Sequence, residues 1–145
     1  MRVALLIFTS AVLLKFVIVP VKVTGRSMEP TFYDGQVSLV NLCGYAWKQP
    51  QRGDVVAIRI NDKEPIILKR VIGLPGEQFA FHTGVVFING QRLSEPYIPD
   101  LGAWEWPEET LGTNTYFVTG DNRQISQQFR VERRQIIGKL FPFYY

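Results

Sequence analysis

Cysteine and histidine are almost missing from this chain: Cys43 and His82 stand alone among its 145 residues. One cysteine excludes an internal disulfide, and one of each excludes a Cys/His metal site. A hydrolytic zinc site would need carboxylates beside His82, and no HExxH segment is present. Neither a metal nor a cofactor is implied. A serine nucleophile that leaned on histidine would have only His82, which lies in Phe81-His82-Thr83-Gly84, a turn between two apolar strands. A base for a serine is therefore sought among other residue types.

Acid is absent before Glu29, and this absence accounts for the formal charge of +3. Arg2, Lys15 and Lys22 carry the whole excess; from Val23 onward 13 basic residues face 13 acidic ones. The folded part is neutral, which excludes the basic field that nucleic acid requires. Hydrophobic content of 46% with 20% charged residues excludes a disordered chain, and the length suits one domain or an anchor plus a small domain.

The one long apolar run is Val3–Val19, interrupted by Thr9, Ser10 and Lys15. It sits at the short end of a membrane-spanning helix, which needs about 20 residues. Lys15, near one end, can snorkel to the headgroups, and Pro20 ends the helix. The competing reading is a cleaved secretory signal with Arg2 as its charged start. No small-x-small cleavage site precedes Pro20, which favours an uncleaved anchor over residues 1–22.

Beyond the run the pattern turns to β. Strands are predicted at Val37–Val40, Val55–Ile60, Ile66–Ile72, Val85–Ile88, Thr115–Thr119 and Ile136–Phe141, with an Asn89-Gly90 hairpin turn leading into Arg92-Leu93. Asn41–Gln51 reads as a loop or turn. Residues 95–111, rich in Pro, Gly, Trp and acid, read as a long loop. No internal repeat is visible. The expected fold is mostly β: a single N-terminal transmembrane helix, then a compact domain of coiled antiparallel sheets over residues 23–145.

Three stretches could carry chemistry. In Thr24-Gly25-Arg26-Ser27-Met28-Glu29-Pro30-Thr31, Gly25 can take angles closed to other residues, and Pro30 pushes Glu29 towards extended geometry. Ser27 is thereby presented at a bend, although the stretch alone also suits a polar linker. In Pro65–Ile72, alternation puts Lys69 on one face with Ile67 and Val71. Burial there would lower the lysine pKa, and a neutral amine can take a proton from a serine hydroxyl. A sheet-edge lysine with its amine in solvent is the plainer alternative. Gly120-Asp121-Asn122-Arg123-Gln124-Ile125-Ser126 is a turn by composition and also suits a platform under a site.

Together these stretches, with Arg52-Gly53-Asp54-Val55-Val56, Leu68–Glu77 and Arg130, resemble in order and content the type I signal peptidases, membrane-anchored Ser-Lys endopeptidases. The resemblance implies Ser27 as nucleophile, Lys69 as general base and Ser126 as the serine that orients the lysine amine. It implies one oxyanion donor in the Ser27 N–H; a hydroxyl that some members place two residues earlier is here replaced by Gly25, leaving only backbone. Asp121 and Arg123 take a structural part around Ser126. Val23, Met28, Phe32, Ile67 and Leu68 are implied to line shallow pockets for small side chains, as in Ala-x-Ala.

The chain departs from the family pattern at Gln128, where an acidic partner for Arg130 is usual. The implied substrates are preproteins whose signal peptides carry small residues before the cleavage site. The implied setting is the outer face of the bacterial cytoplasmic membrane, with the lipid bilayer as a second partner. Trp104 and Trp106 suit either the lipid interface or packing of their loop. Competing functions are a relative dedicated to one substrate such as a pilin, a cytosolic self-cleaving repressor-type protease, and a membrane-anchored β module that binds without catalysis. The apolar run and the Gly120–Arg123 block argue against the repressor type.

Overall fold

The computed structural model describes residues 17–141. Eleven strands follow in chain order: β1 (Ile18–Lys22), β2 (Val37–Asn41), β3 (Val55–Ile58), β4 (Ile67–Gly73), β5 (Gln78–His82), β6 (Val85–Ile88), β7 (Gln91–Arg92), β8 (Trp106–Thr110), β9 (Thr115–Thr119), β10 (Phe129–Glu132) and β11 (Ile136–Leu140). They form a seven-stranded sheet ordered β1-β2-β11-β3-β4-β9-β10 and a four-stranded sheet ordered β7-β6-β5-β8. All pairings are antiparallel.

The core follows from side-chain alternation along the central strands. On β3, Val56 and Ile58 join Tyr45, Val71, Tyr116, Val118, Val131 and Ile136 in one cluster. Val55 and Ala57 point the other way, into a cluster with Val23, Met28, Phe32, Val40 and Leu140. A third cluster fills the junction of the two sheets: Ile72, Phe79, Phe81, Val86, Ile88, Leu111 and Phe117. With both faces of β3 covered, all four of its residues are buried.

The mostly β, antiparallel reading agrees with this architecture. The Asn89-Gly90 turn takes positive φ at both residues, 50° and 75°, as a type I′ hairpin requires. Two expectations are corrected. The helix drawn to Pro20 does not extend that far, because Ile18–Lys22 is a strand paired with β2, Pro20 standing opposite Leu39. Pro20 is tolerated because β1 is an edge strand among the described residues. The loop drawn over 95–111 contains β8, which pairs with β5 and shifts register between Phe79 and Phe81. Pro107 is again at home on an edge, and Trp106 is held by packing against Phe79 and Phe117. β10 is a further strand that the periodicity did not reveal.

No helix among the described residues is long and apolar enough to cross a membrane. The expected anchor falls mainly on residues 1–16, which lie outside the described residues.

Candidate functional site

Lys69 occupies the middle of β4, directly opposite Val56 of β3. Directly opposed residues share a face, so its stem lies on the side of the Val56 and Val71 cluster, against which Ile67 and Phe129 also pack. The amine is 5.8 Å from the centre of the Phe129 ring, and the residue is only 5% exposed. Burial pushes its pKa from 10.5 down to about 8, while the Asp121 carboxylate pulls it part of the way back. The sheet-edge lysine in solvent is not what the structure contains.

One polar partner receives this amine. Lys69 Nζ donates to Ser126 Oγ at 3.1 Å. The Ser126 hydroxyl also accepts the Gly120 N–H at 2.6 Å and donates to the Gln127 carbonyl at 3.1 Å. With its own proton committed to Gln127, Ser126 serves Lys69 as an acceptor. A neutral amine held through one of its N–H bonds keeps its lone pair for another proton.

Ser27 reaches the same turn through its backbone. The Asn122 N–H donates to the Ser27 carbonyl at 3.0 Å, and Asn122 Nδ2 donates to the Arg26 carbonyl at 3.3 Å. A Cβ on Gly120 would stand 2.1 Å from the Ser27 carbonyl oxygen and 2.5 Å from Ser126 Oγ, so these two groups are neighbours across a gap only glycine leaves open. Among the described residues, the Lys69 amine hydrogen-bonds Ser126 and not Ser27. Gly25 takes φ +88°, and its N–H is spent on Asp34 Oδ1 at 2.8 Å. Among the described residues, no acceptor takes the Ser27 N–H.

On the opposite face of β4, Arg70 donates through Nε to Asp121 Oδ1 at 2.8 Å and through a terminal nitrogen to Oδ2 at 2.5 Å. Thr31 donates to the same carboxylate, and Arg70 also reaches the Gly53 carbonyl at 2.7 Å. Arg123, fully buried, donates to the Gly120 carbonyl at 3.1 Å and to both oxygens of Glu95 at 2.6 and 3.1 Å. Thus Lys69 and Arg70, adjacent in sequence, hold the 120–126 turn from both faces of one strand.

Thr31, Arg70 and Gly120 stood inside the stretches singled out in the sequence but without a role of their own, and Glu95 was not singled out. Arg70 beside an expected buried lysine on a central strand was the available signal: it too had to be buried, and therefore paired.

The remaining sequence-derived positions fall as follows. Val23, Met28 and Phe32 are buried in the core beneath the Ser27 loop, where Leu68 packs on them. Ile67 lies on the other face, with Lys69. His82 is exposed at the β5–β6 turn, with Nδ1 3.5 Å from Glu105. Arg130 pairs not with residue 128 but with Glu109 at 3.2 Å, across from the Trp106 ring. Gln128 donates to the Ser126 carbonyl at 3.3 Å. Trp104 and Trp106 pack inward on the junction cluster, and Trp104 Nε1 donates to the Arg123 carbonyl. They are packing residues of their segment.

Antiparallel sheets that bury a lysine amine on one serine and seat a second serine on the same turn define a class of β-sheet protein with a serine–lysine cluster. The chain matches the family described as signal peptidase, peptidase S26, over residues 1–145. It therefore belongs to the signal peptidase family. It is 30% identical to signal peptidase IB of Staphylococcus aureus over 148 residues, covering 87% of this chain and 77% of that one. It is 32% identical to signal peptidase I of Bacillus licheniformis over 152 residues, covering 88% and 79%. A crystal structure of a signal peptidase I from Enterococcus faecalis V583 superposes with a TM-score of 0.53 at 28% identity, covering 65% of this chain and 98% of that one.

Proposed function

We propose that this chain is a membrane-bound serine endopeptidase that removes N-terminal signal peptides from exported preproteins. Ser27 is the nucleophile and Lys69 the general base. The observation that carries the reading is the buried Lys69 amine, 5% exposed and bonded to Ser126, which shares the Gly120 contact with Ser27.

In this reading the neutral Lys69 amine takes the Ser27 hydroxyl proton as Oγ attacks the carbonyl carbon of a peptide bond. The Ser27 N–H donates to the oxyanion that forms. The lysine then gives its proton to the departing amine as the C–N bond breaks. A water, deprotonated by the same amine, attacks the ester, and the proton returns to Ser27 Oγ as the acyl group leaves. Ser126 orients the amine through both steps. Asp121 and Arg123 hold the turn that carries Ser126. Val23, Met28, Phe32 and Leu68 form the apolar floor on which small residues before the bond would rest, with Ile67 contributing to the dry surroundings of Lys69. The N-terminal apolar run supplies the anchor that keeps the site on the outer face of the cytoplasmic membrane.

The test is cleavage of a preprotein bearing an Ala-x-Ala site, in detergent micelles, by the native chain, Ser27→Ala and Lys69→Ala. Cleavage at that site by the native chain, lost in both variants, is the expected result. Activity surviving Ser27→Ala would mean another nucleophile. Failure of the native chain on this substrate, with cleavage of a pilin-type precursor instead, would point to a dedicated relative. No cleavage of either would favour a binding module.

A further inference from the structure

The segment between β7 and β8 is tied to the turn beneath Lys69 at both of its ends. Glu95, at one end, accepts two bonds from the Arg123 guanidinium and a third from the Tyr97 hydroxyl at 2.9 Å. The Glu95 side chain is 2% exposed and that of Arg123 is 0% exposed. At the other end Trp104 Nε1 donates to the Arg123 carbonyl, and in between Gln124 donates to Asp100 at 2.5 Å. Tyr97 lies 4.0 Å from the Arg70 guanidinium. The segment is a strap across the turn, and Arg123 is its buckle.

Arg123 acts on one residue, Gly120. Its Nε donates to the Gly120 carbonyl at 3.1 Å. The N–H of Gly120 donates to Ser126 Oγ, and Ser126 receives Lys69 Nζ. The Gly120 α-carbon faces the Ser27 carbonyl so closely that no Cβ fits between them. Gly120 is therefore the point where the serine loop and the lysine-holding serine are set relative to one another. An arginine with a pinned guanidinium can hold that point; one without a partner cannot.

We propose that Glu95 is a positioning residue for the peptidase reaction: its carboxylate fixes Arg123, which fixes Gly120 through its carbonyl, and Gly120 in turn holds Ser126 on Lys69 through its N–H and sets the turn against Ser27. The inference rests on the Ser27–Lys69 reading above. A displacement of catalytic groups by about an ångström from a remote change can cost on the order of a hundredfold in rate. Glu95 touches neither nucleophile nor base, so its loss should act on kcat while leaving the apolar floor, and with it KM, nearly unchanged.

The experiment uses the full chain in micelles, 15N-labelled, as native protein, Glu95→Gln and Glu95→Ala. Glu95→Gln keeps the shape and one acceptor, and decides the matter if Glu95→Ala does not fold. The first readout is the Gly120 amide resonance and its exchange protection, which owe nothing to activity. The second is kcat and KM, corrected for the fraction of chains that melt cooperatively. The expected result is a shifted, less protected Gly120 amide with kcat reduced about 10- to 100-fold and KM within about twofold of native. An unmoved Gly120 amide, or a kcat loss no larger than the loss of folded protein, overturns the proposal. If the native chain proves inactive, or Ser27→Ala and Lys69→Ala retain activity, the dyad reading fails and Glu95 has no such reaction to serve. The Gly120 amide still reports whether the tether exists.

Discussion

The two sheets are held together by opposite kinds of chemistry. The four-stranded sheet docks through aromatic rings: Phe79 lies 4.2 Å from Phe117, Trp106 lies 5.3 Å from it at a steep angle, and Phe81 lies 5.5 Å from it. β4 of the seven-stranded sheet and the turn that follows β9 bury Lys69, Arg70, Asp121 and Arg123 instead. Buried rings contribute stability through area and shape. Buried charges cost desolvation that their partners at best offset, so they are weak evidence of stability. A small domain that keeps such groups in one cluster, with an aromatic core beside it (Arg123 stands 5.8 Å from the Phe81 ring), divides its sequence between holding a fold and holding a site.

Lys69→Met should sharpen this division most. In the proposed mechanism it removes the base, and cleavage should fall by on the order of a thousandfold or more. Stability should move the other way. The folded pKa lies near 8 and the ordinary value at 10.5, so burying the cation costs on the order of 3 kcal/mol. Below about 8 both folded and unfolded chains carry the proton and the cost is present in full. Between about 8 and 10.5 the unfolded chain holds a proton that the folded chain has released, so native stability rises with pH through that window. The methionine variant should therefore melt higher than native at pH 7, and its advantage should fade as the pH approaches 10.5. A variant that is less stable at pH 7 would mean that the Ser126 bond outweighs desolvation.

Phe79→Ala strikes the other region. The ring is buried among Ile72, Phe81, Val86 and Phe117, and truncating such a residue costs about 3–5 kcal/mol. Denaturant unfolding should show that loss in the midpoint. The chains that remain folded should keep a kcat within about twofold of native. A larger fall in kcat would show that the sheet junction and the 120–126 turn are coupled, and would erase the comparison.

The pH dependence of cleavage is a subtler probe. If neutral Lys69 is the base, kcat/KM should rise with pH and level off above about 8. Asp121→Asn removes the carboxylate that raises this pKa, so the limb should move to lower pH, read on whatever fraction folds. A native profile that shows no rise towards pH 8 would count against Lys69 as the base.

What the sequence could reveal depended on how local the signal was. Alternation along 66–72 placed Lys69 beside Ile67 and Val71, because a strand with two covered faces writes its pattern in adjacent residues. The Asn89-Gly90 turn was legible for the same reason. The partners of Arg70 were not, since Asp121 and Thr31 lie far away in the chain and only the closed sheet brings them to β4. Glu95 was hidden in a segment whose prolines and tryptophans read as loop. β8 was hidden there too, because Pro107 argues against a strand unless that strand is known to be an edge. β1 continues an apolar run without alternation, so nothing in Ile18–Lys22 distinguishes the end of a helix from a strand.

The smallest effect expected is at Arg130. The family pattern places an acidic residue where Gln128 stands, which suggested a lost ion pair close to Lys69. In the structure the arginine side chain is 55% exposed on β10 and pairs with Glu109 of the other sheet, over the Trp106 ring. Burial and Asp121, not this pair, set the lysine's pKa. An exposed pair of this kind contributes at most about 1 kcal/mol, screened further by salt. Arg130→Ala should therefore lower stability by less than about 1 kcal/mol. The rise of kcat/KM with pH should stay where the native chain has it. If that limb moves, the Arg130 charge is felt at Lys69 across β10, and the boundary between the aromatic and the charged regions lies closer to Lys69 than the packing indicates.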